Sequence, residues 1–168
     1  MCREFFDFND DRITLEIWES LYDTAASSMA APDWEQQVLQ KSGLEKVFLT
    51  NDFDDPLTGF DTSLYIPCLR TDDLVFHLAK PETRERLAKA TRKEFTDAKS
   101  LAQVIGTLFD HFSKNGAKAC AISLPPDFSP AKVDKAAVEP AIKGLLENRE
   151  LTCDESATIS RFVFWTIA

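Results

Sequence analysis

Three short apolar runs, at 46–50, 63–69 and 119–123, are separated by stretches of helical periodicity, and that alternation limits the architectures open to this chain. Each run is continuously apolar rather than alternating, the pattern of a strand covered on both faces. Strands of that kind interleaved with helices imply parallel βα units. The expected fold class is therefore α/β, with every strand buried. Pro67 is expected near the end of the second strand, because proline cannot donate to a ladder.

The helical stretches carry their own punctuation. Asp10 and Asp11 precede an apolar series at Ile13, Ile17, Leu21 and Ala25, with Trp18 on the same side, which predicts a helix with a charged reverse face. Asp33 with Gln36 has the spacing of a capping box, and Gly43 suits the left-handed residue that closes a helix. Pro81 predicts the start of a charged, solvent-facing helix reaching about Lys93. Thr96 is placed to cap the next, whose stripe is Leu101, Val104, Ile105, Leu108 and Phe112 and whose end is Gly116. Ser129-Pro130 predicts a further helix start, and Thr152 with Glu155 a second capping box before the last helix. Ile159, Phe162, Val163, Phe164, Trp165 and Ile167 keep that helix apolar to the final residue. No repeat, low-complexity tract or linker interrupts the 168 residues. They read as a single α/β region; the uncapped last helix leads us to expect part of a larger α/β structure, with a small complete domain whose last helix docks at its end as the other reading.

Charge excludes some functions. The chain carries 19 basic and 28 acidic side chains, a net charge of −9. Binding a phosphate backbone needs clustered Lys and Arg, so no nucleic-acid partner is expected. No apolar stretch approaches the roughly 18 residues that span a membrane. Met1-Cys2-Arg3-Glu4 lacks the basic start and apolar run of an export signal, so a cytoplasmic protein without a membrane partner is expected. Cys2, Cys68, Cys120 and Cys153 have no CxxC spacing, which excludes a zinc knuckle. They read as reduced structural thiols, with Cys68 and Cys120 behaving as small buried hydrophobes.

Parallel α/β proteins place their chemistry just beyond the carboxyl ends of the strands. Three segments qualify: Asn51-Asp52-Phe53-Asp54-Asp55-Pro56, Arg70-Thr71-Asp72-Asp73 and Leu124-Pro125-Pro126-Asp127. The first could offer oxygens to a hard cation such as Mg²⁺. Its Asp-x-Asp also resembles the nucleophile loop of haloacid-dehalogenase-type phosphatases, with Asp52 attacking phosphorus, although Pro56 stands where that motif wants Thr or Val. A plain turn capped by Asn and Asp is the simpler reading. Arg70 is more specific: a lone guanidinium after an apolar strand, in an acidic protein, suits a bidentate grip on a carboxylate or phosphate. An ion pair with Asp72, Asp73 or the acids at 52–55 is the competing reading. His77 and His111 have no second His at ligand spacing, and no Ser-His-Asp set, phosphate loop or HExxH is present.

The order of these segments resembles the middle of the uronate (glucuronate) isomerase family, metal-dependent TIM-barrel enzymes of the amidohydrolase type. Ile17-Trp18 lies in the corresponding helix. Val47 to Pro56 is similar to the family's strand ending in Thr-Thr-Asp-Asp-Pro, with Asp54-Asp55-Pro56 on the final triplet after a two-residue insertion. Ile66-Pro67-Cys68-Leu69-Arg70-Thr71-Asp72 is similar to its strand ending in Pro-x-Phe/Trp-Arg-Pro-Asp. Asp110-His111-Phe112 with Gly116-Ala117-Lys118, and Glu150-Leu151-Thr152 with Glu155, match a later helix end and helix start.

The resemblance implies a TIM-type (β/α)8 barrel, of which this chain is an incomplete piece, and an aldose–ketose isomerase acting on a small anionic sugar such as glucuronate. It also implies a divalent metal, zinc in type. The family's His-x-His, its later His and its near-terminal Asp have no counterpart here, and its Ser-Asp-His falls on Cys120, Ala121 and Ile122. No catalytic residue and no metal ligand is therefore carried over, and the chain alone is expected to be inactive. What carries over is substrate binding: Arg70 on the uronate carboxylate, with Asp72, Asp54 and Asp55 holding hydroxyls or orienting Arg70. A non-catalytic α/β binding module and an Asp52 phosphatase remain the other classes. A barrel piece is also expected to expose an apolar face and self-associate, as a homo-oligomer or an aggregate.

Overall fold

A computed structural model describes residues 2–168. The chain divides into two compact units, one up to Glu45 and one from Lys46 to Ala168. The first holds α1 (Cys2–Phe6), α2 (Trp18–Met29) and α3 (Trp34–Ser42), none of which has a buried residue. Its apolar contacts are aromatic: the Trp34 ring lies 5.8 Å from Phe5 and 5.7 Å from Phe6. The predicted helix at Asp10-Asp11 begins later, at Trp18, because the Thr14 carbonyl accepts from Ile17 and Trp18 to form the first turn while Asp11 takes Arg3 at 2.9 Å. Ile13 and Trp18 stay exposed, and only Ile17, Leu21 and Ala25 of the expected stripe are half-buried. Asp33 does precede α3, yet its side chain makes no capping bond. Gly43 closes α3 in the left-handed region at φ 66°, as its lack of a Cβ allows.

The second unit is built on parallel strands. β1 (Val47–Phe48) runs beside β2 (Tyr65–Ile66), and β3 (Cys68–Arg70) runs beside β4 (Ala119–Ala121). A bridge between Asn51 and Leu69 carries the β1 segment alongside β3, so strand order follows chain order. Pro67 sits between β2 and β3 rather than at the end of the run. The carbonyls of Leu64, Ile66 and Cys68 all accept from the β1 segment, so the proline nitrogen faces the other edge. Pairing with β4 starts there only at Cys68, and no ladder bond is lost.

After β3 come α4 (Asp72–Phe76), α5 (Pro81–Thr91) and α6 (Ala98–Lys114); after β4 come α7 (Lys135–Leu146) and α8 (Cys153–Ile167). The α6 stripe is buried as its spacing predicts, against Val138, Ala141, Ile142 and Leu145 of α7 and Ile159, Phe162 and Val163 of α8. The cap of α6 is Asp97 rather than Thr96: its carboxylate accepts from Ser100 N at 2.6 Å, while Ser100 Oγ accepts from Asp97 N. The box at Thr152 and Glu155 forms in both directions, at 3.2 and 2.9 Å.

Two further expectations fail, the first for a long-range reason. The helix expected at Ser129-Pro130 starts at Lys135 instead. The carbonyls of Ser129 and Pro130 are taken by Arg161 Nε at 3.0 Å and Trp165 Nε1 at 2.6 Å, which holds that segment open against α8. The strands are not all buried: Phe48 is 55% exposed, and Cys120 is exposed while Cys68 is buried. Burial pushes the Cys68 thiol up from its ordinary value. No helix of the described residues is long and apolar enough to cross a membrane.

Candidate functional site

The carboxyl ends of the strands gather the residues that the sequence singles out. Asn51 ends the β1 segment and is almost fully buried. Its N–H donates to Cys68 O, its carbonyl accepts from Arg70 N, and its side-chain oxygen accepts from Cys68 N at 3.3 Å. Its amide nitrogen donates to Asp55 Oδ2 at 3.2 Å, and Asp55 Oδ1 accepts from Leu57 N at 2.7 Å. Leu57 has φ 55°, a conformation costly for a residue with a Cβ, so Asp55 holds a strained turn in place.

Asp54 is held differently. Arg86, on α5, grips it with both arms of the guanidinium, Nη2 to Oδ1 at 2.6 Å and Nε to Oδ2 at 2.8 Å. Its third nitrogen, Nη1, donates to Asp73 Oδ2 at 2.8 Å, and Asp52 Oδ2 lies 3.6 Å from Nη2. The Phe53 ring, 1% exposed, lies 4.7 Å from the same guanidinium. The hydrogen bonds from Arg86 hold the Asp54 carboxyl below its ordinary value, and those to Asp54 and Asp73 raise Arg86.

Arg70 is held loosely by comparison. It leaves the end of β3 half-exposed, with Nε 3.4 Å from Asp72 Oδ2 and Nη1 3.9 Å from Asp52 Oδ1. Asp72 is the better fixed of the pair, its other oxygen accepting from Ser123 N just past β4 at 3.1 Å. Thr71, where the isomerase pattern has proline, donates to the Ala121 carbonyl through both N and Oγ1, at 2.9 and 3.1 Å, two bonds that proline could not make. Arg70 and Asp72 are thus adjacent, whereas Asp54 is tied to Arg86 and Asp55 to Asn51 and Leu57, and neither pairs with Arg70. Next to the third segment, the Ser123 amide just before it reaches this cluster, and Asp127 pairs with neither guanidinium. His77 and His111 are exposed and lie outside it.

Arg86 is the residue that sequence reasoning misses. Its helix has Thr83, Leu87 and Thr91 buried at helical spacing, and Arg86 flanks that stripe. Arg84 flanks it as well, and it turns to the Ala79 carbonyl and Asn148 instead. Periodicity alone cannot say which of the two meets the acids.

The donor set does not fit a divalent metal. Among the described residues no three His, Cys, Asp or Glu side chains converge as ligands, and the acids closest together are already neutralised by guanidinium. Asp54 also fits poorly as a general acid, because a carboxyl held below its ordinary range carries no proton near neutrality. The arrangement is suited to binding an anion at Arg70.

No family model matches the sequence, and no curated protein does. Solved structures do match. The uronate isomerase of Thermotoga maritima superposes with a TM-score of 0.80 at 17% identity, covering 98% of this chain and 38% of that one. The glucuronate isomerase of Caulobacter crescentus gives 0.80 at 15% identity, covering 99% of this chain and 36% of that one. This chain therefore shares the fold of a stretch of those proteins and spans little more than a third of their length.

Proposed function

We propose that the chain is part of a uronate isomerase-type enzyme, a (β/α)8 barrel of the amidohydrolase type interconverting aldose and ketose sugar acids, and that its share of the work is to hold the substrate carboxylate. The observation that carries this reading is Arg70: a half-exposed guanidinium at the carboxyl end of parallel strands, held by one long contact to Asp72 through Nε and 3.9 Å from Asp52 through Nη1, in a fold shared with two such isomerases. Parallel strands that follow one another in chain order support a singly wound barrel over a doubly wound sheet, where the order reverses.

In an aldose–ketose isomerisation a proton moves between adjacent carbons through an enediol, and the developing oxyanion must be stabilised. A guanidinium on the distant carboxylate takes no part in that transfer. It fixes the sugar so that the reacting carbons meet the base, and such positioning accounts for a large share of a rate enhancement. Asp72 keeps Arg70 aimed, and Asp54 and Asp55 act through the loop they brace. The base and the metal are assigned to other parts of a longer, cytoplasmic enzyme, in which self-association through the exposed strands would be relieved.

The test is titration of the chain with D-glucuronate and with D-glucose, followed by NMR. Glucuronate should shift the Arg70 guanidinium signal and glucose should not. A charge-assisted hydrogen bond contributes about 1.5–3 kcal/mol, so Arg70→Gln should weaken glucuronate binding by about ten- to a hundredfold. Equal binding of the two sugars, or an unaffected Arg70→Gln variant, would refute the carboxylate role.

A further inference from the structure

Asp52 is shared between two guanidiniums, 3.6 Å from Arg86 and 3.9 Å from Arg70. Arg86 also neutralises Asp54 and Asp73 at 2.6 and 2.8 Å. From these distances we infer that Arg86 is a positioning residue that keeps Arg70 open to an anion, by holding the neighbouring acids away from it. This inference rests on the reading of Arg70 as the carboxylate-binding group.

Without Arg86, Asp54 and Asp73 would lose the guanidinium they pair with, and Asp52 would keep Arg70 as the one guanidinium it still faces. Asp52 already points an oxygen at Arg70 Nη1 and is itself more than half exposed, so it needs only a small swing to close the gap. Arg70 would then spend its fork on an internal acid, and an incoming carboxylate would meet uncompensated negative charge. Arg86 is placed to prevent both. Its guanidinium is seated over the Phe53 ring and braced by acids from two separate segments, so it cannot easily follow a ligand, whereas Arg70 can.

The experiment reads Arg70 itself, with and without a ligand. The chain is treated with phenylglyoxal, which modifies accessible guanidiniums, and the rate at Arg70 is followed by peptide mass spectrometry. In the unaltered chain Arg70 should react faster than Arg86. Arg86→Gln should slow reaction at Arg70 several-fold, and adding Asp52→Asn should restore most of the rate. Asp52→Asn alone, a change at an exposed side chain that leaves Arg86 on Asp54 and Asp73, should speed reaction at Arg70. This single variant keeps the inference open to refutation if Arg86→Gln does not fold. A merely structural role for Arg86 would not be rescued by removing a second charge.

An Arg70 rate that ignores Arg86→Gln, or a loss that Asp52→Asn does not restore, overturns the inference. So does an Arg70 rate unmoved by Asp52→Asn alone. Repeating the reaction in D-glucuronate separates the two ideas. If the variants behave as stated but glucuronate does not protect Arg70, the positioning role stands and the uronate reading fails. If glucuronate protects Arg70 equally with and without Arg86, the uronate reading stands and the positioning role fails.

Discussion

Replacing Phe53 tests whether the acidic segment is a packed part of the fold or a surface turn. Phe53 lies between Asp52 and Asp54 yet is 1% exposed, and its ring is the floor on which Arg86 sits, 4.7 Å away. Phe53→Ala removes a fully buried ring, a change that costs about 3–5 kcal/mol. With a urea slope of about 2 kcal/mol per molar, the midpoint should fall by about 1.5–2.5 M. Phe53→Leu keeps most of the apolar contact and loses the ring face, so its cost should be about 1–2 kcal/mol and the midpoint shift under about 1 M. Unfolding should be read from amide exchange in peptides of α6, so that the separate unit up to Glu45 does not contribute. An alanine variant within about 0.3 M of the parent would show that the ring is not a core element, and the packing account of this loop would be wrong. Equal losses for alanine and leucine would mean that the ring face over Arg86, rather than buried volume, dominates.

Three further outcomes follow from the α7–α8 junction and from α6. Glu155 is held down to about 2 by Arg149, with help from the Thr152 N–H. A carboxylate with a lowered folded value stabilises above its unfolded pKa and loses that contribution as pH falls. Stability should therefore drop between about pH 4.5 and about pH 2, less steeply in Glu155→Gln, as measured by urea midpoints across that range. A Cβ at Gly144 would overlap the Arg149 guanidinium. Gly144→Ala should push Arg149 off Glu155 and let the Glu155 pKa climb back towards its ordinary value, as read by carboxyl carbon NMR. Asp97→Ala removes the cap of α6 and should lower the urea midpoint, with Asp97→Asn lowering it less; equal losses would assign the effect to charge rather than to the cap bond.

Local pattern alone was enough for the elements whose bonds are local. The five-residue stripe of α6, the left-handed Gly43, the Pro81 start of α5 and the Thr152–Glu155 box all depend on residues within a few positions of one another, and each is where its spacing predicts. Parallel strands were legible for the same reason, because continuous apolar runs between helices leave few other arrangements. Arg70 stood out because a cation directly after an apolar strand is an unusual local event.

What tertiary structure decided were the partners at long range. Ser129-Pro130 carries a good local start signal, but its carbonyls are claimed by Arg161 and Trp165 more than thirty residues away, and the helix forms later. The acids at 52–55 look alike in sequence. Only the packing of α5 over Phe53 assigns Asp54 to Arg86, leaves Asp55 to a strained turn and sets Asp52 between two guanidiniums. Hydrophobic spacing fixes which face of a helix turns inward. It does not fix which charged residue at the border of that face meets which acid, because that depends on how elements distant in sequence come to lie beside one another.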